Sequence, residues 1–168
     1  VIFAVTAMAA GVVVTFLPLV ITQAHGNVAD AGLFVQAAFM TLMRGWAGRY
    51  GARRNGMLLV VSVLMTAAGI FAVAASKNTV VVLAAMAVFG GGFGIAQNAS
   101  LALMFERVAK SRYDAVSALW NAAYDAGLGV GGAGFGLLAA RSGYGIALAL
   151  TAALVIVALI PARHLSTN

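Results

Sequence analysis

The sequence has 168 residues, 63% of them hydrophobic and 8% charged, whereas a soluble globular domain carries about 25% charged residues, so water is excluded as the solvent for most of its surface. The net charge of +6, from 10 basic and 4 acidic side chains, does not point to nucleic acid, because the basic residues sit between apolar runs rather than on a water-facing patch. Cysteine is absent, which removes disulfides, thiolate metal sites and a cysteine nucleophile.

A bilayer-crossing helix needs about 20 mostly apolar residues. Residues 1–23, 31–48, 56–75, 79–105, 114–140 and 144–160 meet that requirement. The expected fold class is all-α: one polytopic bundle of six transmembrane helices over residues 1–168. The chain opens at Val1, already inside an apolar run and without the pattern of a signal peptide, as a segment of a longer protein would.

In the first span, Pro18 removes a backbone hydrogen bond and clashes with the carbonyl of Val14, which predicts a kink. The second carries Gln36 and Thr41, with Arg44 just inside its end. The third and the sixth are nearly bare of hydrogen-bonding side chains, holding Ser62 and Thr66, and Thr151, which predicts that these two form the lipid-exposed outer layer. The fourth carries Gln97, Asn98 and Ser100, and the fifth Ser117, Asn121, Tyr124 and Asp125. Groups of this kind need protein partners or water inside a membrane.

Basic residues in the connecting loops set orientation. Arg44, Arg49, Arg53, Arg54, Arg107, Lys110, Arg112 and Arg163 fall on one side and Lys77 and Arg141 on the other, so both termini are expected in the cytoplasm. Glu106 lies among Arg107, Lys110 and Arg112, where a surface ion-pair cluster is the ordinary arrangement.

Glycines cluster at positions 90–94 and 127–136. Gly127, Gly129 and Gly132 have the G-x-G-x-x-G spacing of a dinucleotide loop, but no strand precedes them and no acid follows to hold a ribose. Pairs four apart, Gly90 with Gly94 and Gly132 with Gly136, are expected instead to flatten helix faces for close packing. Asp125 lies near the bilayer midplane, where a carboxylate costs at least about 2.5–3.5 kcal/mol unless protonated, paired or hydrated. Asn121 and Gly129 share its face. Two readings stand for Asp125, a structural hydrogen bond to a neighbouring helix and a role in substrate or proton binding. For Gln97 and Asn98 they are interhelical bonding and solute contact. His25 and His164 lie in the flanks, no metal-ligand or nucleophile motif occurs, and neither enzymatic activity nor a cofactor is expected.

Residues 44–54, Arg-Gly-Trp-Ala-Gly-Arg-Tyr-Gly-Ala-Arg-Arg, resemble the G-x-x-x-D-R-x-G-R-R signature between the second and third helices of the major facilitator superfamily. Gly45, Arg49, Gly51, Arg53 and Arg54 fit, whereas Gly48 stands in place of the acid and Ala52 in place of an arginine. The glycine-rich fourth span ending in Glu106 and Arg107, and the run from Arg112 through Asp125 to Gly136, resemble its sugar- and drug-efflux members. The resemblance implies the C-terminal six-helix half of an inner-membrane transporter, with spans one and four lining a central cavity, two and five meeting the missing N-terminal half, and three and six facing lipid. It further implies alternating access at a midplane site for a small organic solute, driven by proton exchange, with Asp125, Asn121, Gln97, Asn98 and Gln36 as candidate pathway residues. The alternative is a six-span structural or assembly protein that works through helix contacts.

Overall fold

The structure, a computed structural model, describes residues 1–21, 27–49 and 54–166, with residues 164 and 166 described by their backbone alone. Among the described residues seven α-helices follow one another: α1 (Ile2–Ile21), α2 (Val28–Ala47), α3 (Asn55–Ala75), α4 (Thr79–Glu106), α5 (Tyr113–Ser142), α6 (Tyr144–Val157) and α7 (Leu159–Ser166), with a 3-10 turn at Lys110–Arg112. No strand occurs among the described residues, and the chain is all-α as expected.

Local chemistry sets the helix ends. Asn78 caps α4, its Oδ1 accepting from the backbone N–H of Val80 at 2.9 Å and of Val81 at 3.3 Å, which satisfies two donors that the first turn leaves free. Gly143 alone separates α5 from α6, at φ 79° and ψ 161°. A side chain in that backbone conformation would be strained, so glycine is required for so short a reversal. The expected single span over residues 144–160 is interrupted at Ala158, three residues before Pro161, whose ring cannot accept the Val157 carbonyl as a helical neighbour.

Helix direction alternates along the chain, and glycines set the closest contacts. A Cβ built on Gly90 would overlap the Gln36 carbonyl oxygen and one on Gly94 that of Met40, so α2 and α4 run parallel with their backbones touching. In the same way, a Cβ on Gly127 would stand 2.7 Å from the Ala4 carbonyl oxygen and one on Gly131 would overlap that of Met8, which makes α1 and α5 a second parallel pair. The expected pair Gly132 and Gly136 instead faces the side chains of Thr15 and Phe16. The contact stripe of α5 is rotated by about one residue because the backbone of α1, rather than its side chains, fills that face. Antiparallel to α4, α3 packs Gly69 against Phe89 and Ala85 and receives Gly92 beside Ser62 and Thr66.

The alternation gathers Val1, Leu59, Met104, Arg107 and Leu165 round one groove at one end of the bundle. Ile21, Val28, Val73, Thr79 and Tyr144 meet at the other. Arg49, Arg54, Arg107, Lys110, Arg112 and Arg163 therefore belong to the first end, and Lys77 and Arg141 to the second.

Among the described residues four helical stretches are long and apolar enough to cross a membrane: Ile2–Ile21, Asn55–Ala75, Thr79–Glu106 and Tyr144–Arg163. Six were expected. The other two, α2 and α5, have 20 and 30 residues, ample length, but Asp30, Gln36 and Arg44 dilute one, and Asn121, Asp125 and a run of glycines the other. The exposed faces also differ. On α3 the face holds Met57, Val61, Leu64 and Phe71, and on α6 Ile146, Leu150, Leu154 and Val157, with Tyr144 as the polar exception at the mouth of α6. Ser62 and Thr151 turn inward and donate to the carbonyls of Leu59 and Ala147 at 2.8 Å each. Residues 89–97 of α4 are buried throughout.

Candidate functional site

Two polar regions stand out among the described residues of the helical bundle. The first is the α2–α4 seam. Four-residue spacing puts Gln36, Met40 and Arg44 in one row along α2, and parallel packing sets that row against Gly90, Gly94 and Gln97 of α4. Gln36 and Gln97 are buried, each about 95% covered. Their amide nitrogens both point at the thioether sulfur of Met40, at 3.9 Å from Gln36 and 3.7 Å from Gln97. Gln97 is thereby oriented with Oε1 outward, where it accepts from Nη1 of Arg44 at 3.1 Å. Asn98 is half-buried; its Nδ2 lies against Gly48, 3.2 Å from where a Cβ would stand.

The second region is the open face of α5. Asp125 is exposed and lies twelve residues from Tyr113, at about 18 Å along a 30-residue helix. Among the described residues it makes no hydrogen bond. Asn121, one turn earlier, turns its amide back to the Ser117 carbonyl at 2.9 Å. Gly129, one turn later, meets nothing within 4 Å, which leaves open space beside the carboxyl group.

Behind Asp125 stands a layer that sequence reasoning missed. Phe3 stacks on Trp120 with centroids 4.2 Å apart and faces Phe93 and Tyr124 at 6.4 and 6.0 Å. Trp120 also donates from Nε1 to Oγ of Ser100 at 3.0 Å. Rings from α1, α4 and α5 thus lock the inner face of α5 while its outer face stays free. The available signal was Trp120 and Tyr124 at four-residue spacing, one turn apart on α5 and next to both polar candidates.

The remaining candidates lie at the basic end. Gly45 and Arg49 are exposed at the C-terminal end of α2 and Arg54 is exposed at the start of α3, while Gly51 and Arg53 lie outside the described residues, as does His25. Arg107 caps α4 and Arg112 precedes α5, both exposed. Glu106 accepts from Nδ2 of Asn55 at 2.8 Å, a bond that ties the start of α3 to the end of α4 and that the ion-pair expectation did not include. Thr66 is the one buried side chain among the described residues whose oxygen lacks a partner. A cavity of about 380 Å³ opens at the far end, among Leu19, Val28, Val73, Lys77 and Tyr144, and none of the candidate residues lines it. Among the described residues no group of His, Asp and Glu could hold a metal ion.

No curated protein matches the sequence. The sequence profile of the Major Facilitator Superfamily matches residues 1–166, almost the whole chain, and its transporters are generally not enzymes. With helices of membrane-crossing length and apolarity and this match over nearly its whole length, this chain belongs to the major facilitator superfamily and is a multi-pass membrane transporter protein of that type.

Proposed function

We propose that the chain makes six membrane passages with both ends in the cytoplasm and forms the C-terminal half of a twelve-helix secondary transporter in the inner membrane. It moves a small organic solute, such as a drug or a sugar, by alternating access coupled to protons, in efflux or uptake. One observation carries this reading. The two helices that fall short in apolarity, α2 and α5, both hold exposed polar groups along their length, Thr41 and Arg44 on one and Asn121 and Asp125 on the other. Such faces need protein or water against them, which suits contact with the missing half or a cavity, whereas the apolar faces of α3 and α6 suit lipid. The basic end of the bundle supports a cytoplasmic location for the termini. The assembly-protein alternative draws no support from the glycine pairs, because Gly90, Gly94, Gly127 and Gly131 are used within the chain.

Because the chain lacks cysteine, single cysteines report topology. Lys77→Cys is expected to react with an impermeant reagent on intact cells and Lys110→Cys only after permeabilisation; the reverse pattern would refute the orientation. In proteoliposomes of the full-length protein, Asp125→Asn preserves size and hydrogen bonding but cannot ionise. Loss of proton-driven flux with solute exchange retained is the expected result, and unchanged coupled flux with a normal pH profile would remove Asp125 from the mechanism.

A further inference from the structure

The transporter reading leaves the solute without a charge, and the setting of Arg44 supplies one. Gly90 rests on Gln36 and Gly94 on Met40, so the next turn of α2 brings Arg44 level with Asn98. That level is eight residues before the end of α4 at Glu106 and three before the end of α2 at Ala47. A basic side chain that only marks the inner leaflet extends its head group towards the nearest water. Arg44 instead reaches sideways, donating from Nη1 to Oε1 of Gln97 at 3.1 Å, while remaining exposed on the open face of α2.

Gln97 is 5% exposed, and its amide nitrogen lies against the Met40 sulfur, so the oxygen is the atom presented to the guanidinium. That oxygen is neutral. It orients the fork without discharging it, and it occupies one of five N–H donors, leaving a planar set matched to two oxygens of an anion. Arg44 stands in the last turn of α2, and among the described residues its hydrogen-bond partner is an uncharged amide, so its charge is left to water or to an anion.

We propose that Arg44, oriented by Gln97, binds an oxyanion carried by the transported solute, a carboxylate or phosphate-type group, so that the solute is an organic anion. Arg44 is the contact residue and Gln97 a positioning residue. The inference rests on the transporter reading and narrows it.

The test uses the full-length protein in detergent, with protection against thermal unfolding measured for two matched pairs of probes, benzoate against benzamide and galacturonate against galactose. The charged member of at least one pair is expected to protect at concentrations where the neutral member does not. Arg44→Gln is expected to weaken that protection about 10- to 100-fold, the range for a charged hydrogen bond. Arg44→Lys, which keeps the charge but loses the fork, falls between, and it carries the test should Arg44→Gln fail to fold. Gln97→Leu is expected to narrow the ratio between charged and neutral probes, which a purely structural role would leave alone. Equal protection by the neutral members, undiminished protection of Arg44→Gln, or no protection of the parent by either anion would each overturn the proposal. Proton-driven uptake of a neutral solute by the same protein would then leave the transporter reading standing without it. Restoration of Arg44→Gln by neutralising an acid of the other half would assign Arg44 to an ion pair between halves and equally overturn it.

Discussion

The two parallel helix pairs, α2 with α4 and α1 with α5, share one backbone arrangement and differ in what surrounds it. In each, two glycines four residues apart lie on two carbonyls four residues apart, Gly90 and Gly94 on Gln36 and Met40, Gly127 and Gly131 on Ala4 and Met8. Beyond the glycines the α2–α4 seam continues into amides, a thioether and a guanidinium, whereas the α1–α5 seam continues into stacked rings, Phe3 with Trp120 at one end and Phe16 with Phe135 at the other. Close approach of backbones is therefore independent of polarity in this protein. The amides of α4 are drawn into a seam and oriented there, while the acid of α5 is turned away from its seam because rings occupy the inner face.

The largest test of this likeness is Gly94→Ala beside Gly131→Ala. Each added methyl would overlap a backbone carbonyl that cannot move without separating the helices. Both variants are expected to lose several kcal/mol, at or beyond the usual overpacking cost of about 1–3 kcal/mol, read as a lowered unfolding midpoint in detergent. Tolerance of one but not the other would show that the seams are not equivalent. Next comes Trp120→Ala, expected to cost about 3–5 kcal/mol as a large ring leaves a filled site, against about 1 kcal/mol for Trp120→Phe, which keeps the stack on Phe3 and loses the bond to Ser100. Equal losses would mean that the hydrogen bond, not the stacking, holds α5. Smaller again, Asn55→Ala removes the amide that Glu106 accepts from and is expected to cost about 1–2 kcal/mol, with limited proteolysis near residues 107–112 reporting the loosened end. The smallest effect has the opposite sign. Gly129→Ala meets open space in a helix where alanine is favoured over glycine by about 1 kcal/mol, so the midpoint should rise slightly, and a fall comparable with that of Gly131→Ala would mean that the open face of α5 is covered after all.

Much of the scaffold was legible before any coordinates. The helices over residues 28–47, 55–75, 79–106 and 113–142 match the apolar runs to within a few residues, because apolar length is a local property of the chain. The break before Pro161 was legible in principle, since proline acts on the carbonyl four residues back, but an apolar run through Ile160 concealed it. Taken singly in the sequence, Gln97 fits interhelical bonding or solute contact and Arg44 marks orientation. Their bond spans 53 positions and exists only because glycines let α2 and α4 approach in one register. Asn121 and Asp125 share one face of α5, yet Asn121 spends its amide on its own helix.

From residues alone follow the lipid environment, the helical segments and the bias of basic charge to one end, since each depends on composition within a short stretch and on the hydrogen bonds a helix makes to itself. Tertiary structure alone decided which glycines meet a neighbour, why Gln97 is buried while Asp125 is exposed, and what Arg44 touches. Each residue turns a helix by about 100°, so a rotation of one position exchanges buried for exposed, and that rotation is set by the neighbouring backbones rather than by the helix itself.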